Sequence, residues 1–236
     1  MPDIQRTWIA VPVFNHSAKL ASLVDEILKA CPNLVVVDDG STDTDIGKVL
    51  SGKAVELVSH RKNMGKGEAI KTAAQFIIGR NGDYMITIDA DGQHYPGEIK
   101  SFLEAIRHTE EKIILGARNF NSPKIPLSSR TGRKLSNWFV RIETGRKLND
   151  TQSGFRAYPV SLFNKVSCRS SGFSFETEII VRAIWSRYDV SEINISVHYP
   201  GSRDRISHFG FFKDNIRIFL LHMSLLHEKF MRIIRR

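Results

Sequence analysis

At 236 residues, with 42% hydrophobic and 25% charged residues, the chain is long enough for one domain with a substantial core and too apolar to remain disordered. Cys31 and Cys168 lie far apart and in no metal-ligand or redox spacing, which excludes a disulfide framework and favours a reduced compartment. A formal net charge of +9 requires an anionic partner such as nucleic acid, a phosphorylated substrate or an acidic membrane.

Trp8 to Phe14 predicts a first strand, and Asn15-His16-Ser17 closes it and caps a helix running through Leu20, Leu23, Val24, Ile27 and Leu28. Leu34 to Val37 is a wholly apolar second strand, as a parallel sheet covered on both faces requires, and it ends in Asp38-Asp39-Gly40-Ser41-Thr42-Asp43. Val55 to Ser59 is a third strand, after which Asn63-Met64-Gly65-Lys66-Gly67 opens a helix carrying Ala69, Ile70, Ala73, Ala74, Phe76 and Ile77. Tyr84 to Ile88 is a fourth strand followed by Asp89-Ala90-Asp91-Gly92-Gln93-His94. A helix from Pro96 to about Arg107 and a fifth strand from Lys112 to Ala117 complete a doubly wound α/β layer through about residue 118.

The character of the chain then changes. Asn119 to Ser129 holds Pro123 and Pro126 and few apolar anchors, the composition of a mobile loop over a site. Thr131 to Arg146 predicts a basic amphipathic helix whose Leu135, Trp138, Phe139 and Ile142 are expected in the core, while Arg130, Arg133, Lys134 and Arg141 offer a face to an acidic partner. Phe155 to Tyr158 reads as a short strand, Glu176 to Arg187 as a helix and Val190 to Tyr199 as a long alternating strand.

From Gly201 onward, Arg203, Arg205, Lys213, Arg217, Lys229, Arg232, Arg235 and Arg236 outnumber Asp204, Asp214 and Glu228, so the excess charge is concentrated in the tail. Phe212, Ile216, Phe219, Leu220, Met223, Leu226 and Phe230 recur there at helical spacing. Such a basic amphipathic helix suits an anionic lipid surface, packing on the domain, or pairing with a second copy. No run approaches the roughly 20 apolar residues of a membrane span, and no apolar segment precedes Trp8, so the expected location is cytoplasmic, peripheral on the inner face of the cytoplasmic membrane.

Chemistry gathers at the predicted strand ends. Neighbouring parallel strands deliver Asn15, the Asp38-Asp39 pair and the Asp89-Asp91 pair to one rim of the sheet, where open α/β sheets keep their sites. Asp89 and Asp91, separated by one residue and followed by Gly92, can turn towards one hard divalent cation such as Mg²⁺, which keeps substrate phosphates among its ligands. Taken alone, Asp-x-Asp is more often an acidic solvated turn.

Six ordered segments change that weighting: Val11-Pro12-Val13-Phe14-Asn15, Val37 to Asp43, Asn63 to Gly67, Asp89 to His94, Gly116-Ala117-Arg118 and Asp150-Thr151-Gln152-Ser153-Gly154-Phe155-Arg156. In this order they resemble family 2 glycosyltransferases over about residues 8 to 200, most closely the dolichyl- or polyprenyl-phosphate hexosyltransferase branch. The resemblance implies a GT-A (Rossmann-like) fold, mostly parallel with helices on both faces, a UDP- or GDP-hexose donor, Mg²⁺ or Mn²⁺, and inversion at the anomeric carbon. It divides the chain into a catalytic domain at 1–200, with a nucleotide-sugar half at 1–118 and an acceptor half at 119–200, and a basic tail at 201–236. By position, Pro12, Asn15 and Asp39 would line the nucleoside pocket, and Asp38 would line it too or cap the next helix through the Ser41 and Thr42 backbone groups. Lys66 would approach the diphosphate or stand inert at a helix start, Asp89 would meet the ribose or the metal's water shell, and Asp91 with Gln93 would ligate the metal.

For the acceptor, a hydroxyl must lose a proton as it attacks, whereas a phosphate monoester is already anionic and needs positioning cations. Arg118, Arg130, Arg133, Arg156, Arg203 and Arg205, with Ser153, are the residues that the resemblance puts beside an acceptor phosphate, and arginine's planar fork suits phosphate oxygens. Asp150 is then either a base for a hydroxyl of a lipid or envelope glycan, or an orienting partner of Arg156. His16 stands where the family usually has an acid, and His198 to Phe209 replaces the usual Ser-Lys. A silent nucleotide-sugar binding subunit is the alternative outside catalysis, and no strand shows the aromatic-basic interleaving of a nucleic-acid binder.

Overall fold

The structure, a computed structural model, describes residues 3–108, 111–118, 127–197 and 211–234, with the backbone alone at 127–130 and 211–213. In chain order the strands are β1 (Thr7–Val13), β2 (Leu34–Asp38), β3 (Glu56–Ser59), β4 (Tyr84–Thr87), β5 (Ile113–Arg118), β6 (Arg156–Pro159) and β7 (Val190–Ile195). The helices are α1 (Leu20–Leu28), α2 (Ile46–Val49), α3 (Lys66–Gly79), α4 (Ile99–Arg107), α5 (Leu127–Thr144), α6 (Leu162–Lys165), α7 (Phe175–Trp185) and α8 (Phe211–Ile234). The strands form one sheet in the order β3-β2-β1-β4-β6-β5-β7. Every pairing is parallel except those of β6, which runs antiparallel to both β4 and β5.

The apolar strands explain the layering. Val35 and Val37 point to one core with α3 and α7, and Leu34 and Val36 point to the other with α1 and α4. Because both faces are covered, β2 needs no polar alternation. The order β2-β1-β4 sets the carboxyl ends of three strands side by side, as expected from the motifs.

Several local expectations change. Asn15, in a left-handed conformation (φ 52°), does not cap α1. Its Oδ1 accepts from the Thr42 N–H at 2.7 Å and so ties the end of β1 to the loop after β2. Helix α5 starts at Leu127, inside the segment expected to be a loop, and residues 119–126 lie outside those described. Of the four α5 residues expected in the core only Phe139 is buried; Leu135 and Trp138 are more than half exposed. Strand β7 ends at Ile195, short of the expected Tyr199, which lies outside the described residues.

Helix α8 packs on the domain by one face. Ile218, His222 and Leu225 are buried, with the His222 ring stacked on Phe139 at 4.6 Å and its Nδ1 2.8 Å from the Glu143 carboxylate. Arg182 pairs with Glu228 at 3.1 Å, and the Arg232 guanidinium lies 4.7 Å from the Trp185 ring centroid. The opposite face of α8 leaves Ile216, Phe219, Leu220 and Met223 exposed beside Leu135, Trp138 and Ile142 of α5. Among the described residues no helix is long and apolar enough to cross a membrane.

Candidate active site

A cleft of about 370 Å³ opens where β1, β2 and β4 end. Its walls are Pro12 at the end of β1 with Phe14 and His16 after it, Asp39 after β2, Asn63, Gly65 and Lys66 at the start of α3, and Asp89 to Asp91 after β4. Gly172 and Phe173 before α7, and Asp214 and Arg217 from α8, complete it.

Asp39 is the best-anchored carboxylate of the cleft. It is 2% exposed, and it accepts from the Met64 and Gly65 N–H groups, each at 2.8 Å, and contacts His60 Nδ1 at 2.7 Å. A carboxylate offers about four acceptor positions, so three bonds fix its orientation and leave Oδ2 able to meet a ligand donor. Asp38 fills neither expected role as stated: Oδ1 accepts from the Ser41 N–H at 2.8 Å and shapes the turn after β2, while the next helix, α2, is capped by Asp45, and Asp38 does not line the cleft.

The acidic turn after β4 is built around Lys66. Its Nζ lies 2.6 Å from Asp89 Oδ1 and 2.7 Å from Glu176 Oε1, and its side chain is only 13% exposed. Burial alone would lower the ammonium pKa, yet the two carboxylates together raise it. Asp89 is the reciprocal case: burial works against its ionised form, but Lys66 and more distant cations hold its pKa below the usual carboxylate range. Lys66 is thus a buried counter-ion of the turn, standing at the start of α3 and in the wall of the cleft. Gly154 closes against it, because a Cβ there would overlap Asp89 Oδ2 and come within 2.7 Å of Lys66 Nζ.

Asp91 differs from Asp89. Burial and the neighbouring Asp89 charge raise its pKa, and its Oδ1 accepts one bond, from the Gln93 N–H at 2.9 Å, across a turn that Gly92 permits with φ 71°. Gln93 contributes this backbone group; its side chain does not line the cleft. A divalent cation fits here on the chemistry of the donor set. Asp91 is a carboxylate facing the cleft, destabilised as an anion by its surroundings and short of positive partners. Among the described residues no cluster of three His, Cys, Asp or Glu forms a protein cage.

Behind the turn, His94 is 6% exposed and lies edge-on to Phe155 at 5.2 Å. Burial pushes its pKa down to about 4, so the ring is neutral. Glu176, the second acid on Lys66, and His94, buried behind the turn, are groups supporting the site that sequence reasoning passed over.

The acceptor-side residues are paired differently from the expectation. Asp150, fully buried, receives two bonds from Arg118, Nε at 2.6 Å and Nη2 at 2.9 Å, so its orienting partner is Arg118 and not Arg156. Arg156 is itself fully buried and does not face the cleft. It donates to the carbonyls of Ser153, Thr151 (2.9 Å) and Glu176 (2.6 Å), stitching the 150–156 segment to α7. Ser153 is buried with it. Arg133 donates to the Asn149 carbonyl at 3.3 Å, beside Asp150. The side chains of Arg130, Arg203 and Arg205 lie outside the described residues.

Comparison with known proteins agrees with this architecture. The family model "Glycosyl transferase family 2" matches residues 8–170. The polyprenol monophosphomannose synthase of Mycolicibacterium smegmatis is 26% identical over 205 residues, covering 81% of this chain and 77% of that protein. The UDP-N-acetylglucosamine–dolichyl-phosphate N-acetylglucosaminyltransferase of Methanococcus voltae is 25% identical, covering 81% and 85%. The undecaprenyl-phosphate mannosyltransferase of Micrococcus luteus is 28% identical, covering 75% and 77%. Among solved structures, mannosyl-3-phosphoglycerate synthase from Rubrobacter xylanophilus superposes with a TM-score of 0.74 at 17% identity, covering all of this chain and 79% of that one. Glucosyl-3-phosphoglycerate synthase from Mycobacterium tuberculosis, in complex with Mn²⁺, UDP and phosphoglyceric acid, gives 0.68 at 19% identity, covering 94% and 78%. With a GT-A sheet, one cleft at three adjacent strand ends and a family match over most of its length, the chain belongs to glycosyl transferase family 2, and it is a glycosyltransferase.

Proposed function

We propose that this enzyme transfers a hexose from a UDP- or GDP-sugar to a lipid phosphate of the polyprenyl type, with inversion and with a divalent cation. The observation that carries the reading is the meeting of Asp39, Asp89 and Asp91 around one cleft. It is supported by relatives named a polyprenol monophosphomannose synthase, a dolichyl-phosphate N-acetylglucosaminyltransferase and an undecaprenyl-phosphate mannosyltransferase, and by the Mn²⁺ and UDP of a protein with the same fold.

In this reading Asp39 accepts from a base N–H while Pro12 and Phe14 contact the nucleoside. Asp91 would hold a Mg²⁺ or Mn²⁺ ion, which when bound supplies positive charge to the departing nucleoside diphosphate. Asp89, fixed by Lys66, faces the ribose. The acceptor phosphate oxygen attacks the anomeric carbon from the side opposite the diphosphate, forming one C–O bond as the other breaks. No base is needed for an anionic phosphate. The two side-chain hydrogen bonds that Arg118 donates to fully buried Asp150 support this acceptor over a hydroxyl, because a carboxylate so engaged is ill-placed to take a proton. Arg133 and the basic residues of 198–210 would hold the phosphate.

The apolar residues left exposed on α5 and α8, in a chain of net charge +9, suit an anionic lipid surface on which such an acceptor resides. Incubation with radiolabelled UDP- and GDP-hexoses, Mn²⁺ and either undecaprenyl phosphate or free undecaprenol tests the whole reading. Organic-phase label that needs the phosphate and the metal is expected. Equal labelling of the free alcohol, or label independent of both lipids, would sink it.

A further inference from the structure

The cleft takes part of its wall from an element outside the matched family segment. Helix α8 reaches it with Asp214 and Arg217, opposite a donor half that ends at residue 118. Asp214 is 8% exposed and shares one helical face with buried Ile218, His222 and Leu225, so packing fixes the direction of this helix end. Arg217, three residues on, pairs with Asp214 at 3.4 Å, a long contact, and its side chain is 69% exposed.

The charge arrangement in the cleft gives Arg217 a task. A nucleoside diphosphate carries more negative charge than one cation at Asp91 offsets. Asp39, Asp89 and Asp91 add further negative charge to the same walls. Lys66, the lysine of the cleft, is held between Asp89 and Glu176 at 2.6 and 2.7 Å and is nearly enclosed. To reach a phosphate it would have to leave two buried carboxylates uncompensated, a costly exchange. Arg118 is engaged on Asp150. Among the described residues, Arg217 is the arginine that lines the cleft, and its head group is exposed there.

We propose that Arg217 of the C-terminal helix binds the diphosphate of the sugar donor and positions it for departure. Arginine's fork matches two phosphate oxygens bidentately, and such a bond replaces the long contact to Asp214 at little cost. The inference rests on the reading of the cleft as a nucleoside diphosphate-sugar site. It adds that α8 is part of that site, so the helix bearing the exposed apolar face also holds the donor.

Calorimetric titration of the full-length protein with UDP, GDP, UMP and GMP in the presence of Mn²⁺ tests this. For whichever base binds the wild type, Arg217→Ala is expected to weaken the diphosphate about tenfold or more. Monophosphate affinity should change less than about twofold if the base and ribose contacts carry it. Arg217→Lys should restore part of the diphosphate affinity, since the charge returns without the fork. Diphosphate binding unchanged in Arg217→Ala would overturn the assignment, and so would an equal loss for mono- and diphosphate, which marks a disturbed pocket. If the wild type binds none of the four nucleotides, the donor reading itself fails and takes this one with it.

Discussion

The residues expected on the donor side and those expected on the acceptor side are held in opposite ways. On the donor side, carboxylates hang from the ends of β2 and β4 and are oriented by backbone N–H groups and a single buried lysine. On the acceptor side, arginines are consumed: Arg118 by Asp150, Arg156 by three carbonyls. The outer surface beyond them is apolar helix. The contrast teaches that the abundance of arginine near a site says little about phosphate contacts. A buried guanidinium must satisfy its five donors, and neighbouring carbonyls and carboxylates do so first.

The largest expected effect breaks the donor side. Asp91→Asn should lower transfer by about a hundredfold or more, because it removes the carboxylate proposed to hold the divalent cation. Thermal unfolding should barely move, since the turn keeps its bond to Gln93. Activity within tenfold of wild type would remove Asp91 from the chemistry.

Next comes the buried lysine. Lys66→Met should destabilise the fold by about 3–5 kcal/mol, because it leaves Asp89 and Glu176 without their cation. Urea denaturation measures this, and adding Glu176→Gln to Lys66→Met should recover part of the loss. A strictly additive double variant would contradict the shared ion pair.

The acceptor side is tested by Arg118→Ala, which strands a fully buried Asp150 and should cost about 3 kcal/mol or more. With Asp150→Asn added, the loss should shrink. If Asp150→Asn alone abolished transfer while stability and the Arg118 variant's activity were untouched, Asp150 would be acting as a base and the hydroxyl acceptor would return.

The smallest effect concerns the surface. Phe219→Ser with Leu220→Ser, both on the exposed side of α8, should reduce binding to vesicles containing phosphatidylglycerol several-fold. Nucleotide affinity should remain, because neither residue lines the donor cleft. Unaltered flotation would take the helix off the membrane.

Much of the site was legible because its signals are local. Apolar strands followed by short polar turns read directly as parallel strands with functional ends, and the observed order β2-β1-β4 brought Asp39, Asp89 and Asp91 together as the motifs implied. Periodicity could say that α5 and α8 are amphipathic. It could not say which apolar residues would be covered, since Leu135 and Trp138 follow the same spacing as buried Phe139.

What the sequence determined by itself was therefore the α/β alternation, the family and the acidic rim, each encoded within a few neighbouring residues. Only the tertiary structure decided that Lys66 is enclosed between two acids, that Asp150 belongs to Arg118, and that Arg217 of the last helix enters the donor cleft. Those outcomes depend on contacts between residues distant along the chain, where several charged partners satisfy the same local pattern and packing selects one.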